Sequence, residues 1–312
     1  MQSANPAHFQ SNGKLLLTGE YLVLRGAKAL ALRAIFSQSL TVKAEPAVKG
    51  KIKWTALDHE GNLWFEGAFA CNDERIEIVQ SNDMVIADKL VEILQYIDQH
   101  STVIKNKELV INSSVDFPRG WGLGTSSTLI ANLAKWSGVD AYDLLGRTFG
   151  GSGYDVALAM AGNHIIYELS ANKRSVETVH YNPSFSDSIF FVYLNKKRNS
   201  QSAVASFKEK ADSDEVKLAI EKVNAITKTI ATTNELEEFE SAMAQHEEIL
   251  AGILDEVPVK ARLFADYKSG ICKSLGAWGG DFILVTGKAE DMEYFRKKGF
   301  KTILSFKEMI YT

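Results

Sequence analysis

The segment Pro118 to Thr128 reads PRGWGLGTSST, a glycine-rich turn that runs straight into a helix bearing small hydroxyls. Gly120, Gly122 and Gly124 alternate, and Thr125, Ser126 and Ser127 follow. Glycines let backbone N–H groups turn toward an anion, and the start of a helix adds about half a positive charge there. The chemistry this allows is the cradling of a phosphate. The loop is not a P-loop, because GxxxxGK[ST] occurs nowhere in the chain. Nor is it the dinucleotide fingerprint, since Ser127 stands where the third glycine would be.

Further segments carry residues able to act beside a phosphate. Gly151-Ser152-Gly153-Tyr154-Asp155 puts a carboxylate just after a glycine turn, where it could accept a proton or cap a helix. Lys14 precedes Thr18-Gly19-Glu20 and reads as a cation near a substrate or as a solvated strand residue. A second glycine loop, Gly276-Ala277-Trp278-Gly279-Gly280, ends in Asp281. Lys196-Lys197-Arg198 follows a strand and could grip a phosphate or simply face solvent. His246 lies one turn after Met243 and reads as a packed histidine, and the other histidines form no metal-ligand spacing.

The elements that must position these residues are legible in outline. Leu109 to Phe117 predicts the strand before the first loop, and Leu129 to Trp136 a buried helix after it. Lys14 to Leu24 reads as two strands or as a strand and a turn, and Leu40 to Phe69 holds β-type segments. Asp83 caps a helix whose Ile86, Leu90, Ile93, Leu94 and Ile97 share one face. Asp140 caps a short helix, Tyr154 to Ala161 is helical, and His164 to Leu169 and Ile189 to Leu194 are strands. Helices are expected at Val216 to Ile230, Leu236 to Ile253 and Val259 to Lys273, then a strand at Phe282 to Thr286. The pattern is α+β, with antiparallel sheets covered by helices. A boundary falls near Pro183, which divides the chain into domains 1–183 and 184–312.

Composition excludes several classes of function. At 312 residues and 46% hydrophobic content, the chain can build two sizeable cores. Its 35 basic and 39 acidic residues give a net charge of −4, which argues against a nucleic-acid partner. No stretch approaches the roughly 20 apolar residues of a membrane span, and the first residues lack a signal-peptide pattern. Cys71 and Cys272 form no disulfide framework or zinc spacing, so a reducing cytoplasm is the simplest compartment.

Taken together and in order, these segments resemble the GHMP kinase superfamily. Its central PxxxGLGSSA motif has its counterpart in PRGWGLGTSST, its PGK…GE pattern in SNGKLLLTGEY, and its KxxGAGGGG motif in KSLGAWGGD. The mevalonate branch is the nearest in flavour, and phosphomevalonate kinases especially. GEYLVL is similar to their GGYLVL, SGYDVALAMAG to their SGFDVAAAVYG, and Asp281 to the aspartate of GAGGGD. Two departures stand out: Trp278 replaces a glycine, and Leu144 occupies the position of the magnesium-binding glutamate of mevalonate kinases.

The resemblance implies a ribosomal-protein-S5-like N-terminal domain, a ferredoxin-like C-terminal domain and a site in the cleft between them. It implies ATP and Mg²⁺ as cofactors and a small-molecule acceptor, most nearly mevalonate or phosphomevalonate. A sugar or amino-acid hydroxyl is the alternative, as is a nucleotide-binding regulator without turnover. Asp155 would be the catalytic base or charge anchor, with Lys14 near it. Gly120, Gly122, Leu123, Gly124, Thr125, Ser126 and Ser127 would bind ATP, with Ser126 also helping to hold the metal. Glu20, Lys197, Arg198, Gly279, Gly280 and Asp281 would serve the acceptor.

Overall fold

The computed structural model describes residues 5–72, 75–170, 173–196, 207, 213–276, 278 and 280–312. The chain forms two compact units and passes between them several times. The first comprises Met1–Gly13, Phe36–Arg119 and Gly124–Met160, and the second Lys14–Ile35, Gly120–Leu123 and Ala161–Thr312. Residues 183 and 184 both fall inside the second unit. Strands β1 (Ala7–Leu16) and β2 (Ala29–Pro46) each contribute one part to either unit.

In the first unit the sheet is built from the latter part of β2 with β3 (Gly50–Leu57), β4 (Leu63–Cys71), β5 (Ile76–Ser81) and β6 (Lys107–Val115), in the order β5-β4-β3-β6-β2. β2 and β6 pair antiparallel from Gln38 opposite Val115 to Pro46 opposite Lys107. β3 runs parallel to β6, which requires a long crossover. That crossover contains β4, β5 and α1 (Met84–His100). Asp83 starts α1 by accepting from the Ile86 N–H at 3.1 Å, and Ala87, Leu90, Ile93, Leu94 and Ile97 form its buried stripe. Three more helices follow: α2 (Thr125–Ser137), α3 (Ala141–Thr148) and α4 (Tyr154–Ala161). They share one core with the sheet, including Ile52, Trp54, Phe65, Leu109, Ile130 and Leu144. Burial of each such side chain contributes about 1.5–3 kcal/mol.

In the second unit, β7 (His164–Ser170) pairs with the opening of β2 and with β8 (Lys173–Val179). A separate sheet holds β9 (Ile189–Tyr193), β10 (Cys272–Ser274), β11 (Phe282–Thr286) and β12 (Ile303–Ser305). Its order is β10-β11-β9-β12, and every described pair is antiparallel. Helices α5 (Asp214–Thr232) and α6 (Leu236–Leu254) connect β9 to β10, and two short helical turns connect β11 to β12. The path is therefore β-α-β-β-α-β. Apolar side chains at helical spacing, such as Val216 and Val223 on α5 and Leu250 on α6, form the cluster that joins the two helices.

The helix expected over Val259 to Lys273 is a correction. It stops at α7 (Val259–Leu263), and β10 takes the end of the segment. A Cβ on Gly270 would lie 2.3 Å from the Thr286 carbonyl oxygen. The chain there passes against the end of β11 and enters the ladder, with Cys272 opposite Val285. Phe264 and Tyr267, which look like a helical stripe, instead pack with Phe295 in a separate aromatic cluster. Lys14 to Leu24 resolves as a strand and a turn: β1 ends at Leu16, and Leu22–Arg25 forms a 3₁₀ turn. Among the described residues no helix is long and apolar enough to cross a membrane. Both cysteines are free thiols.

Candidate functional site

The central glycine loop owes its shape to backbone conformations that favour glycine. Gly122 has φ 69° and Gly124 φ 90°, in the left-handed region where a Cβ is strained. Gly124 is the N-cap of α2 and brings no side-chain hydrogen bond to it. The first-turn N–H groups of α2 thus meet no capping side chain from that residue, which suits them to an anion. The helix is pinned behind its first turn. Thr128 Oγ1 donates to Gln38 Oε1 at 2.5 Å, and buried Asn132 donates to the Gln38 carbonyl at 2.9 Å.

The sequence places Ser126, Ser127 and Asp155 in one site, and the first unit does bring Ser127 and Asp155 together. Ser127 is 4% exposed, and its hydroxyl donates to Asp155 Oδ2 at 2.5 Å. The other carboxylate oxygen of Asp155 accepts from the Val156 N–H at 2.9 Å. Asp155 itself is half-buried at the start of α4, after Gly153 with φ 87°. Ser126, by contrast, is exposed. The two adjacent hydroxyls are therefore sorted: one is committed to the carboxylate, the other faces outward.

Beside this first turn lies a cavity of about 340 Å³ within the first unit. Thr125 and Ser126 line it together with Trp54, Trp64, Phe65 and Phe149. The Arg119 guanidinium lies 3.5 Å from the Trp64 ring centroid. Sequence reading missed this cavity, because its walls come from strands, α1 and the loop after α3, with no local pattern to join them.

In the second unit, Lys14, Gly122 and Asp281 converge. Lys14 Nζ donates to the Gly122 carbonyl at 3.1 Å, and its backbone N–H donates to Leu123 O at 2.9 Å. A Cβ on Gly122 would lie 2.4 Å from Asp281 Oδ2. Tyr193 donates to the Gly120 carbonyl at 3.1 Å, and Trp121 meets Phe282 edge-on. A small hollow of about 20 Å³ is lined by Lys14, Gly122, Gly276 and Asp281. Asp281 has φ 54°, and its N–H donates to Lys196 O at 2.7 Å. Burial, and after it the Asp281 carboxylate, push the Tyr193 phenol above its ordinary pKa.

Glu20 lies in the interior, 1% exposed. Its Oε1 accepts from Lys273 Nζ at 2.6 Å, and its Oε2 is 3.5 Å from His246 Nε2. Burial raises the Glu20 carboxyl to about 7 although Lys273 opposes the shift. His246 is fully buried, and its Nε2 accepts from the Gly19 N–H at 2.9 Å. Burial and then Lys273 hold that imidazole well below its usual pKa, so it stays neutral. Sequence reading passed over Lys273 as a functional position; its only signal was its place as the lysine of KSLGAWGGD. Trp278 joins the apolar cluster of Tyr21, Leu22 and α5, and its backbone N–H donates to the Tyr21 hydroxyl at 3.3 Å. Gly280 is buried, whereas Gly279, Lys197 and Arg198 lie outside the described residues. Leu144, at the position read as that of the mevalonate-kinase glutamate, is 0% exposed in the core. Among the described residues, no three His, Cys, Asp or Glu side chains cluster as a metal centre.

No family model matches the chain, and no curated protein matches it in sequence. Solved structures match it over nearly its whole length. L. major mevalonate kinase in complex with R-mevalonate gives a TM-score of 0.68 at 14% identity, over 97% of this chain and 96% of that one. Streptococcus pneumoniae phosphomevalonate kinase, in complex with phosphomevalonate and AMPPNP, gives 0.65 at 15% identity, over 96% and 99%. Lactococcus lactis galactokinase complexed with galactose gives 0.65 at 12% identity, over 95% and 89%. The chain is thus similar in its two-unit α+β fold to kinases solved with four different small molecules, and at these identities the likeness speaks for fold alone.

Proposed function

We propose that this protein is an ATP- and magnesium-dependent kinase of a small molecule, working by the chemistry of the GHMP kinase superfamily. The observation that carries this reading is the hydrogen bond from Ser127 to Asp155. It ties a carboxylate to the helix turn best suited to an anion. Two negative groups repel at such a site, and the carboxylate finds a role there as acceptor of the proton that phosphoryl transfer releases.

In this reading the nucleotide base enters the cavity beside α2, and the phosphates lie along the amides of Gly122, Gly124, Thr125 and Ser126. The exposed Ser126 hydroxyl would be a protein oxygen able to hold magnesium, which would supply neutralisation of phosphate charge. The acceptor oxygen attacks the γ-phosphorus and the bond from that phosphorus to the bridging oxygen of ADP breaks; where the acceptor is a hydroxyl its proton passes to Asp155, and where it is a phosphate Asp155 acts as a charge anchor. The transition state is loose, so positioning and charge dominate. Lys14 orients the attacking oxygen, and Asp281, against Gly122, positions the acceptor. Gly279, Gly280, Lys197 and Arg198 complete the acceptor side, and Glu20 acts through the turn it anchors. The β-α-β-β-α-β order of the second sheet supports a ferredoxin-like C-terminal region.

Mevalonate or phosphomevalonate is the acceptor we favour, supported by the GEYLVL, SGYDVA and GAWGGD segments. An ADP-release screen with mevalonate, phosphomevalonate, galactose and homoserine tests this. ADP release with either of the first two is expected. Release only with galactose or homoserine moves the acceptor to another class, and silence on all four with clear ATP binding favours a regulator without turnover.

A further inference from the structure

We infer that Tyr193 is a positioning residue for the phosphate loop: its hydroxyl holds the Gly120 carbonyl so that the loop presents its amides to the phosphates of the nucleotide. This deepens the proposed nucleotide-dependent function and rests on it. A glycine loop cradles an anion only while its N–H groups point toward the ligand. Each N–H lies in one plane with the carbonyl before it and points the opposite way, because the peptide is planar and trans. A donor that captures a carbonyl therefore fixes the direction of the next N–H.

The second unit supplies such donors along Gly120–Leu123. The Tyr193 hydroxyl donates to the Gly120 carbonyl at 3.1 Å. Lys14 Nζ donates to the Gly122 carbonyl at 3.1 Å, and the Lys14 backbone N–H to the Leu123 carbonyl at 2.9 Å. With the carbonyls of Gly120, Gly122 and Leu123 held by the protein, the N–H groups of Trp121, Leu123 and Gly124 turn away from those donors. Gly124 is the N-cap of α2, so the last of these N–H groups already belongs to the helix start.

Tyr193 is itself fixed in place. It stands in β9 opposite Phe282 of β11, with ring centroids 5.3 Å apart, and its N–H donates to the Thr302 carbonyl at 3.0 Å. Phe282 in turn meets the Trp121 ring edge-on at 5.4 Å. The dipeptide Gly120-Trp121 is thus gripped at its first carbonyl by the phenol and at its indole by the neighbouring ring. Gly120 is what lets the phenol approach: a Cβ there would lie 3.1 Å from the Tyr193 oxygen, tighter than ordinary van der Waals contact. Burial, and after it the Asp281 carboxylate, hold the phenol above its ordinary pKa. The hydroxyl therefore keeps its proton and remains a donor through the neutral range.

The test is calorimetric binding of ADP and AMP to the full chain, as wild type, Tyr193→Phe, Gly120→Ala and the double variant, with denaturant midpoints for each. AMP lacks the β-phosphate that the loop holds in this reading. Tyr193→Phe keeps the ring against Phe282 and removes only the hydrogen bond. It should weaken ADP by about 3- to 10-fold and AMP by less than about 2-fold, so that the preference for ADP contracts. Gly120→Ala crowds the same hydroxyl. It should contract that preference in the wild type and contract it no further in Tyr193→Phe, where the oxygen is gone. Should Tyr193→Phe fail to fold, the preference measured in Gly120→Ala decides in the same way. A merely structural role would weaken ADP and AMP alike, together with stability. That result, unchanged ADP affinity, or a wild type that binds ADP no tighter than AMP overturns the inference and leaves the kinase reading standing. Failure of the wild type to bind ADP at all overturns both.

Discussion

Lys273 Nζ donates to Glu20 Oε1 across 2.6 Å, and the two side chains are 0% and 1% exposed. The partners are 253 residues apart in the chain. Their pairing ties the turn after β1 to β10, the strand that leads into the second glycine loop. Removing one member of a buried pair leaves an uncompensated charge and costs about 3–5 kcal/mol. Lys273→Met should therefore lower unfolding free energy by that order at pH 8. The loss should be smaller at pH 5, where Glu20 is protonated and no longer needs the ammonium. Denaturant melts at the two pH values decide, and equal losses contradict the pairing argument.

The Glu20 carboxyl also gives stability a pH dependence of known sign. Its folded pKa is raised from 4.5 to about 7, mainly by burial. The folded state holds this proton more tightly than the unfolded chain does. The contribution is therefore full below pH 4.5 and is lost as pH rises through about 7. His246 acts in the opposite sense. Its folded pKa lies well below 6.5, so its contribution is present above that value and lost as pH falls. Comparison with Glu20→Gln isolates the carboxyl: wild-type stability relative to the variant should decline between pH 4.5 and 7 and then level off. A flat difference across that window would show that Glu20 does not titrate there.

Asp155 and Ser127 separate chemistry from binding. Asp155→Asn keeps the side-chain shape and removes the base, so turnover should fall by about 10²–10⁴-fold while ADP affinity is kept. Ser127→Ala removes a hydrogen bond to a charged group, worth about 1.5–3 kcal/mol, and should lower kcat without abolishing it. Steady-state kinetics with the acceptor found in the screen, paired with ADP calorimetry, give both quantities. Normal turnover in Asp155→Asn would remove this residue from the mechanism.

The parts of this protein that could be read from sequence are those whose signals are local. Asp83 and Asp140 announce their helices because a cap needs only a side chain and the next few N–H groups. The α1 stripe is legible because Leu90, Ile93, Leu94 and Ile97 repeat on one face and all enter the core. β8 escaped notice because Lys173 to Thr178 are exposed, leaving no apolar alternation to mark a strand. The helix beyond Leu263 was misread because Phe264 and Tyr267 match helical spacing, while the contact of Gly270 with Thr286 is visible only in three dimensions. The site divides in the same way. The glycine loop and SGYD are contiguous motifs, whereas the Glu20 pair and the aromatic cavity draw on distant segments.

Gly122 is held in place by two independent constraints, and a double variant separates them. Its φ of 69° disfavours any Cβ, and a Cβ there would lie 2.4 Å from Asp281 Oδ2. Gly122→Ala should lower stability through both effects, the left-handed conformation alone accounting for about 1–2 kcal/mol. Adding Asp281→Ala removes the carboxylate that clashes, so the pair should recover part of the loss while the conformational share remains. Denaturant midpoints of the two single variants and the double variant give the coupling. Strict additivity would mean that the Asp281 carboxylate does not press on the loop.

Leu144→Glu tests whether the position read as that of the mevalonate-kinase glutamate could carry a carboxylate. Leu144 is 0% exposed and packs in the core shared by α1, α2 and α3. A carboxylate placed there loses its hydration and meets apolar neighbours, at an effective cost of several kcal/mol, and the packing of the leucine is lost as well. The variant should unfold at markedly lower denaturant concentration, and adding magnesium should not rescue it. Leu144→Met, which conserves volume, should remain within about 1.5 kcal/mol of the parent. A stable Leu144→Glu protein whose melting rises with magnesium would show instead that this helix can present a carboxylate to a metal.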